Sequence, residues 1–166
     1  MLLLTCELPH HLTLGQGVEQ FFRFAGSDTT AISLRSIFYY LCKNPRCYVK
    51  LVAEIDEMDK NGDLSNPVSF AEASRMPYLQ ACMKEAMRIH PAVGQMLERV
   101  VPSGGAQFGN IWLPAGTIVG INPWVVSREI SVYGNDVDGY RPERWLEAEP
   151  EVMKAMNRNF LAVSSS

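Results

Sequence analysis

The chain has 166 residues, of which 47% are hydrophobic and 20% are charged, and its formal net charge is −3. This is the composition of an ordinary globular protein with one hydrophobic core, and it excludes collagen, coiled coil and low-complexity chains. The mild acidity argues against nucleic-acid binding, which needs a basic face. The four cysteines show no paired spacing, which argues against a disulfide framework or a zinc site.

No segment is expected to anchor the chain in a membrane. Residues 1–4 are apolar, but this stretch is too short for a signal peptide. The longest apolar stretch, residues 21–41, is interrupted by Arg23, Asp28 and Arg35. We therefore expect a cytoplasmic chain with reduced thiols.

Helices are predicted to dominate the first 90 residues. Residues 1–17 are expected to form an irregular N-terminal segment. Hydrophobic spacing then predicts a long helix over 18–41, a second over 45–60, a short helical turn over 69–74 and a third helix from 77 to about 90. Pro45 suits the first turn of the second helix, and Pro91 ends the third.

The second half of the chain is predicted to contain short strands and loops. Residues 100–101, 110–113 and 117–121 are predicted to be strands. The sequence Leu-Pro-Ala-Gly at 113–116 predicts a type I turn that closes a hairpin. Beyond Asn122 the chain is rich in loop-forming residues, with a last helical fragment over 150–157. The expected fold is mainly α with a small β component.

The segment Ala-Gly-Ser-Asp-Thr-Thr at 25–30 interrupts the first helical pattern with successive poor helix formers. One interpretation is that a helix begins here, with Ser27 or Asp28 as its N-cap. The other is one long helix that is locally broken, where a glycine opens a groove and hydroxyls replace backbone partners. An acid beside an alcohol on an apolar stripe suits a proton relay. At about 100° per residue, the stripe that contains Asp28 also holds Phe21, Ala25, Ile32 and Tyr39.

Glu85 is predicted to lie where a core residue should be, because it shares a narrow helical stripe with Tyr78, Cys82 and Ile89. A buried carboxylate needs partners, and Arg88 lies one turn further on. The alternative is a solvated pair worth about 0.2–0.5 kcal/mol. In either case the pair is predicted to be structural.

The segment Pro-Glu-Arg-Trp at 142–145 is a proline-fixed turn in a loop-like region. It is either a surface turn with an amphipathic tryptophan or a clamp. In the second interpretation Arg144, whose planar fork suits a carboxylate, folds back onto Glu85 and ties the tail to the third helix.

In this order, the three motifs resemble the C-terminal part of the cytochrome P-450 haem monooxygenases, in the style of fungal microsomal members. The family's oxygen-binding helix carries [AG]-G-x-[DE]-T-[TS], matched by 25–30. A later helix carries E-x-x-R, matched by 85–88, and the following loop carries P-E-R-[FW], matched by 142–145. The resemblance runs from about 18 to 160. It implies a partial P-450 fold, from the oxygen-binding helix through the loop after P-E-R-W, with residues 18–166 as a truncated core segment.

The resemblance also implies roles for single residues. Asp28 and Thr29 would be the acid–alcohol pair that delivers protons for O–O cleavage, and Gly26 would open the helix beside the bound oxygen. Arg99 would pair with a haem propionate; otherwise it is a surface charge at a strand edge. The implied structural triad consists of Glu85, Arg88 and Arg144. The implied substrate-lining residues are Phe21, Phe22, Ala25, Ala92, Val93 and Met96.

The family's iron-ligand motif, F-x-x-G-x-R-x-C-x-G, is not matched, because the chain reads Leu-Ala-Val-Ser-Ser-Ser after Phe160. No other cysteine matches by motif, so no metal ligand is expected in this chain. Haem is implied by the resemblance but is not expected to be held tightly, and the chain alone is expected to be inactive.

For intact relatives, the resemblance implies a small hydrophobic organic substrate, a flavoprotein reductase as partner and a location at the endoplasmic reticulum membrane. Two alternatives to a monooxygenase segment are open. One is a non-catalytic interaction protein or relic that pairs with a full-length relative or its reductase. The other is a helical binding module unrelated to haem.

Overall fold

The computed structural model describes the backbone of residues 14–162 and the side chains of Arg23 and of residues 25–162. The fold is mainly α with a small β component, as predicted. The helices are α1 (Leu14–Lys43), α2 (Pro45–Lys60), α3 (Phe70–Ser74), α4 (Pro77–Ile89), α5 (Pro123–Val126), α6 (Ile130–Tyr133), α7 (Arg144–Glu147) and α8 (Pro150–Asn159). The strands are β1 (Leu97–Val100), β2 (Ala106–Phe108), β3 (Ile111–Leu113) and β4 (Ile118–Ile121).

Helix α1 is continuous through the 25–30 segment. The interpretation in which a helix begins at Ser27 or Asp28 is therefore wrong, and the helix instead begins at Leu14, inside the segment predicted to be irregular. The hydroxyl of Thr29 donates to the carbonyl of Ala25 at 3.0 Å, within the helix. A long helix tolerates a few poor helix formers because each added residue extends an existing series of backbone hydrogen bonds.

Helices α2 and α4 begin at the predicted positions, and α3 begins one residue after its predicted start. Pro45 and Pro77 lie in the first turns of α2 and α4. Ser69 caps α3 with a reciprocal capping box, in which its side chain accepts from the amide of Glu72 and its own amide donates to the Glu72 carboxylate.

Helix α4 lies between two hydrophobic clusters. On one side α1 and α2 pack against it, and on the other side α6, α7 and α8 do. The first cluster contains Ile37, Leu41, Cys47, Leu51, Tyr78, Cys82 and Ala86. The second contains Ala81, Tyr133, Val137, Trp145 and Met156. A polar side chain on the face of α4 that lies between the two clusters is therefore surrounded by protein.

The strands form two antiparallel pairs, β1 with β4 and β2 with β3. The hairpin joins β2 to β3 through Gly109 and Asn110, and the φ of Gly109 is 56°, as in a type II′ turn. The predicted hairpin at 113–116 is wrong. A turn does form there, with a hydrogen bond of 3.2 Å from the amide of Thr117 to the carbonyl of Pro114, but it leads from one sheet to the other. The φ of Gly116 is 83°, which belongs to type II and not to the predicted type I.

The region after Asn122 is more helical than predicted. Three one-turn helices, α5, α6 and α7, occupy what was expected to be loop, because one turn is too short to show hydrophobic periodicity. The side-chain oxygen of Asn122 accepts from the first amides of α5. The last predicted helical fragment is confirmed as α8.

Within residues 14–162, no helix combines the length and the apolar character needed to cross a membrane.

Candidate functional site

Glu85 lies at the centre of the molecule, on the buried face of α4, and its side chain is 0% exposed. Arg88, one turn further along the same helix, is equally buried. Its Nε donates to Oε2 of Glu85 and its Nη2 donates to Oε1, both at 2.9 Å. The pair is therefore bidentate and shielded from water, and the solvated alternative is excluded by this geometry.

The segment around α7 supplies the remaining partners of Glu85. Nε of Arg144 donates to Oε1 at 2.8 Å, and the indole Nε1 of Trp145 donates to Oε2 at 2.9 Å. The backbone amide of Arg141 donates to Oε1 at 3.1 Å. Glu85, Arg88 and Arg144 are thus brought together, and the tail is tied to α4 through one carboxylate.

The two arginines are also held by backbone carbonyls. Nη1 of Arg88 donates to the carbonyl of Ser127 at 2.8 Å, and Nη2 of Arg144 donates to the carbonyl of Asp136 at 3.0 Å. Burial alone would lower the pKa of Arg144, but the carboxylates of Glu85 and Asp136 outweigh burial and raise that pKa. Asp136 supplies the second negative charge near Arg144, and its Oδ1 accepts a hydrogen bond from Nη1 of Arg144 at 3.0 Å.

A second carboxylate network begins at the residue before Arg144. Glu143 accepts hydrogen bonds from Arg46 and, at 2.7 Å, from Nζ of Lys50, both on α2. It also accepts from the hydroxyl of Tyr78 on α4 at 3.2 Å. The hydrogen bond from Arg46 is the main reason that the pKa of Glu143 falls to about 2. The turn before α7 therefore directs Glu143 toward α2 and Arg144 toward Glu85.

The polar turn of α1 has a different environment. Gly26, Asp28 and Thr29 are exposed, and among the described residues a Cβ added to Gly26 would meet no heavy atom within 4 Å other than those of its chain neighbours and its own helix backbone. The hydroxyl of Thr29 is bonded to the helix's own backbone, and Ser33 repeats that bond one turn later by donating to the carbonyl of Thr29 at 3.0 Å. An acid and an alcohol thus lie side by side on an open helix face.

The residues expected to line a substrate pocket do not enclose one within the described part of the chain. Ala25 and Ala92 are half-buried, whereas Val93 and Met96 are exposed. Arg99 is exposed on β1, where its Nη1 donates to the carbonyl of Glu98 at 2.7 Å. Phe21 and Phe22 belong to α1, and their side chains lie outside the described residues.

An open cavity of about 370 Å³ lies between the second half of α1 and the C-terminal end of α4. The sequence placed Ile32 and Tyr39 on one helical stripe but predicted no cavity. Arg35, Ser36 and Tyr40 also lie on α1, and His90 follows α4. The cavity is lined by Ile32, Arg35, Ser36, Tyr39, Tyr40 and His90.

The described cysteines do not fit the iron of a haem. Cys47 and Cys82 are buried in the first hydrophobic cluster, and burial raises the pKa of the Cys82 thiol to about 12. Iron of the expected type is held by a thiolate, and Cys82 is a neutral thiol. Cys42 is exposed near the end of α1, and Cys6 lies outside the described residues. Among the described residues, no cluster of three potential metal ligands occurs either.

Comparison with known proteins gives the family. The model of the cytochrome P450 family matches residues 11–161. Cytochrome P450 monooxygenase cicH of Emericella nidulans is 48% identical over 133 residues, which are 80% of this chain and 27% of the relative. Pisatin demethylase of Fusarium vanettenii is 48% identical over 128 residues, 77% of this chain and 24% of the relative.

The chain therefore spans about a quarter of the length of these curated fungal relatives. The family-model match over residues 11–161 includes the three motifs that carried the resemblance, and it extends from α1 to α8. The chain belongs to the cytochrome P450 family.

Proposed function

We propose that this chain acts as part of a haem-thiolate monooxygenase, an oxidoreductase that inserts one atom of molecular oxygen into a small hydrophobic organic substrate. In that reaction class a substrate R–H, O₂, two electrons and two protons give R–OH and water. The family match over residues 11–161 supports the assignment. The observation that carries it is the full burial of Glu85 between α4 and the segment around α7.

The structural role falls to Glu85, Arg88 and Arg144. A buried carboxylate with paired arginines fixes two elements that are far apart in the sequence, since loss of either partner leaves an uncompensated charge. This network holds the region after α4 in one arrangement. The network would thereby position neighbouring residues for function, while its own three side chains would not touch a substrate.

The chemical role falls to the exposed turn of α1. Asp28 would accept and release a proton, and the neighbouring hydroxyl of Thr29 would pass it toward the oxygen substrate. Gly26 would leave room beside them, consistent with the open space above its Cα. Arg99 would bind a carboxylate, for which its guanidinium is suited. Ala25, Ala92, Val93 and Met96, with Phe21 and Phe22, would contact the substrate.

The cofactor implied by the family is haem, and we infer that this chain alone does not hold it tightly. The support is the state of the described cysteines, of which two are buried in a hydrophobic cluster. The electron donor implied by the family is a flavoprotein reductase, and the location implied for the intact relatives is the endoplasmic reticulum membrane.

A chimera tests this assignment. The 128 matched residues of pisatin demethylase are replaced by those of this chain. The chimera is expressed with a flavoprotein reductase, and two quantities are measured: the carbon monoxide difference spectrum of the reduced protein and the rate of pisatin demethylation. We expect a thiolate-type spectrum together with measurable demethylation.

The proposed proton relay is tested in the same chimera. Thr29→Ala and Asp28→Asn should each lower the rate of demethylation about 10²-fold at unchanged haem content. Ser33→Ala is the matched control, because Ser33 makes the same hydroxyl-to-carbonyl bond one turn away. An active chimera in which Thr29→Ala and Ser33→Ala behave alike would contradict the relay. A soluble chimera without the thiolate-type spectrum would contradict the proposed function as a whole.

A further inference from the structure

The hydroxyl of Ser127 is an exception in the hydrogen bonding of the interior. Ser127 directly follows α5 and is 1% exposed. Its Oγ is the one buried side-chain nitrogen or oxygen atom that finds no hydrogen-bond partner within the described part of the chain. Burying a hydroxyl without a partner costs free energy, because its hydrogen bonds to water are lost and not replaced. Such a group indicates a bound molecule that restores the missing bond.

Arg88 has a donor without an acceptor at the same place. A guanidinium carries five N–H groups, two of them on each Nη. Nε and Nη2 of Arg88 donate to the carboxylate of Glu85, and Nη2 also donates to the carbonyl of Gly139 at 3.3 Å. Nη1 makes a single hydrogen bond among the described residues, to the carbonyl of Ser127 at 2.8 Å. The ring of Tyr133, 5.1 Å from Cζ, gives a cation–π contact but no oxygen acceptor.

Arg144 shows that a buried arginine of this network can be satisfied by protein groups alone. Its Nε donates to Glu85, and its two Nη atoms donate to one carboxylate oxygen and three backbone carbonyls. All five N–H groups are thereby used. The two arginines differ by one acceptor, and Arg88 lacks it on the nitrogen that already contacts Ser127. Two unsatisfied polar groups, an N–H and a hydroxyl, therefore lie beside each other.

The charges of the network select a neutral ligand. Arg88 and Arg144 contribute two positive charges, which Glu85 and Asp136 balance with two negative charges. A further buried ion would be uncompensated. The ligand must accept from an N–H and also bond a hydroxyl, and water is the smallest molecule that does both. Because Arg88 is 0% and Ser127 1% exposed, a larger group could not enter without displacing packed side chains.

We propose that one internal water molecule is bound between Nη1 of Arg88 and Oγ of Ser127. Its oxygen accepts the second N–H of Nη1, and a second hydrogen bond joins it to the hydroxyl. The water satisfies both groups and holds the end of α5 to α4 beside the direct bond to the Ser127 carbonyl. The proposal is independent of the monooxygenase reaction, since every group in it belongs to this chain.

The experiment counts long-lived water molecules in the full 166-residue chain by oxygen-17 relaxation dispersion, which proton exchange does not affect. Ser127→Ala should lower the count by one, because a buried water needs at least about two polar partners and only Arg88 would remain. The matched control is Ser103→Ala, which makes the same change at an exposed turn and should leave the count unaltered.

Urea denaturation of the same variants gives a second measurement in which the two possibilities differ in sign. With the water bound, Ser127→Ala should lower the folding equilibrium constant about fivefold to tenfold, the usual effect of losing one hydrogen bond. Without the water, the change removes an unsatisfied hydroxyl and should leave the constant equal or higher. Ser103→Ala should change it by less than about twofold.

Three results would overturn the proposal. They are an equal water count in the unaltered chain and Ser127→Ala, a Ser127→Ala chain at least as stable as the unaltered one, and an equal loss of stability in Ser103→Ala. Circular dichroism checks that Ser127→Ala is folded. If it is not, Ser127→Cys replaces it, because the thiol is close in size and hydrogen-bonds weakly. The same loss of one water is then expected, and an unchanged count contradicts the site.

Discussion

The Glu85 network and the Asp28–Thr29 turn are both polar motifs on helices, yet their surroundings are opposite. Glu85 is fully buried and accepts hydrogen bonds from Arg88, Arg144 and Trp145. Asp28 and Thr29 are exposed, and the Thr29 hydroxyl bonds only within α1 among the described residues. One motif is complete within this part of the chain, whereas the other presents its groups outward.

The difference follows from the free energy of burying charge. An ionised carboxylate inside a protein must be paired, so folding and the Glu85 network depend on each other. An exposed acid and alcohol keep their contact with water and impose no such condition on the fold. We therefore expect the first motif to control stability and the second to control chemistry alone.

The largest effect is expected for Glu85→Gln. This change leaves Arg88 and Arg144 buried without their carboxylate, and it should lower the free energy of unfolding by about 3–5 kcal/mol. Urea denaturation of the full chain measures this value. Glu98→Gln, at an exposed position of β1, is the control and should stay within about 0.5 kcal/mol. A Glu85→Gln chain as stable as the control would remove the contrast between the two motifs.

An intermediate effect is expected for Glu143, and it depends on pH. The pKa of Glu143 is lowered from 4.5 to about 2, chiefly by the hydrogen bond from Arg46. Its contribution is complete above about pH 4.5 and is lost as the pH falls toward 2. Glu143→Gln should therefore lower the free energy of unfolding by about 1–2 kcal/mol at pH 6 and by less at pH 3. The effect is modest because the cations of Arg46 and Lys50 are half-exposed.

Urea midpoints at pH 6 and pH 3 check this dependence, with the difference between the two chains as the measured quantity. Glu72→Gln is a useful companion, because hydrogen bonds from Ser69 and Ser65 lower the pKa of that exposed carboxyl to about 2 as well. A Glu143→Gln difference that stays constant between the two pH values would contradict the assigned cause.

The smallest effect on stability is expected at the exposed turn. Asp28→Asn and Thr29→Ala should each leave the free energy of unfolding within about 0.5 kcal/mol, and alanine should be the more favourable of the two in a helix. Thermal unfolding followed by circular dichroism measures this. A loss above about 1 kcal/mol for Thr29→Ala would place the turn within the structural framework and would weaken its proposed chemical role.

Local patterns predicted α2, α4 and α8 well, but they missed the one-turn helices α5, α6 and α7 and predicted the strand pairing poorly. Pro45 and Pro77 mark helix starts through their own geometry, and the stripe that contains Glu85 follows from helical spacing alone. Strands β1 and β4 pair with each other although the β2–β3 hairpin lies between them in the sequence, so no single turn specifies this pairing. A type I turn was predicted at 113–116, whereas a type II turn forms at 114–117, and the strands on its two sides were wrongly assigned as partners.

The candidate site was predictable where its residues belong to a sequence motif. The clamp hypothesis predicted the contact between Arg144 and Glu85, which are far apart in sequence. The contacts of Glu143 with α2 were not foreseen, because neither Arg46 nor Lys50 stands out among the charged residues of an exposed helix face. Asp136, which balances the charge of Arg144, was missed because it lies in a turn that no motif marks.

The adjacency of Glu143 and Arg144 makes the length of this segment critical. The two side chains point to different networks because about 100° of helical rotation separates neighbouring residues. Insertion or deletion of one residue between Pro142 and α7 would rotate the following side chains out of register. Arg144 would then turn away from Glu85. Substitutions on the surface of α7 are tolerable, but a change in the number of residues before it disrupts both networks at once.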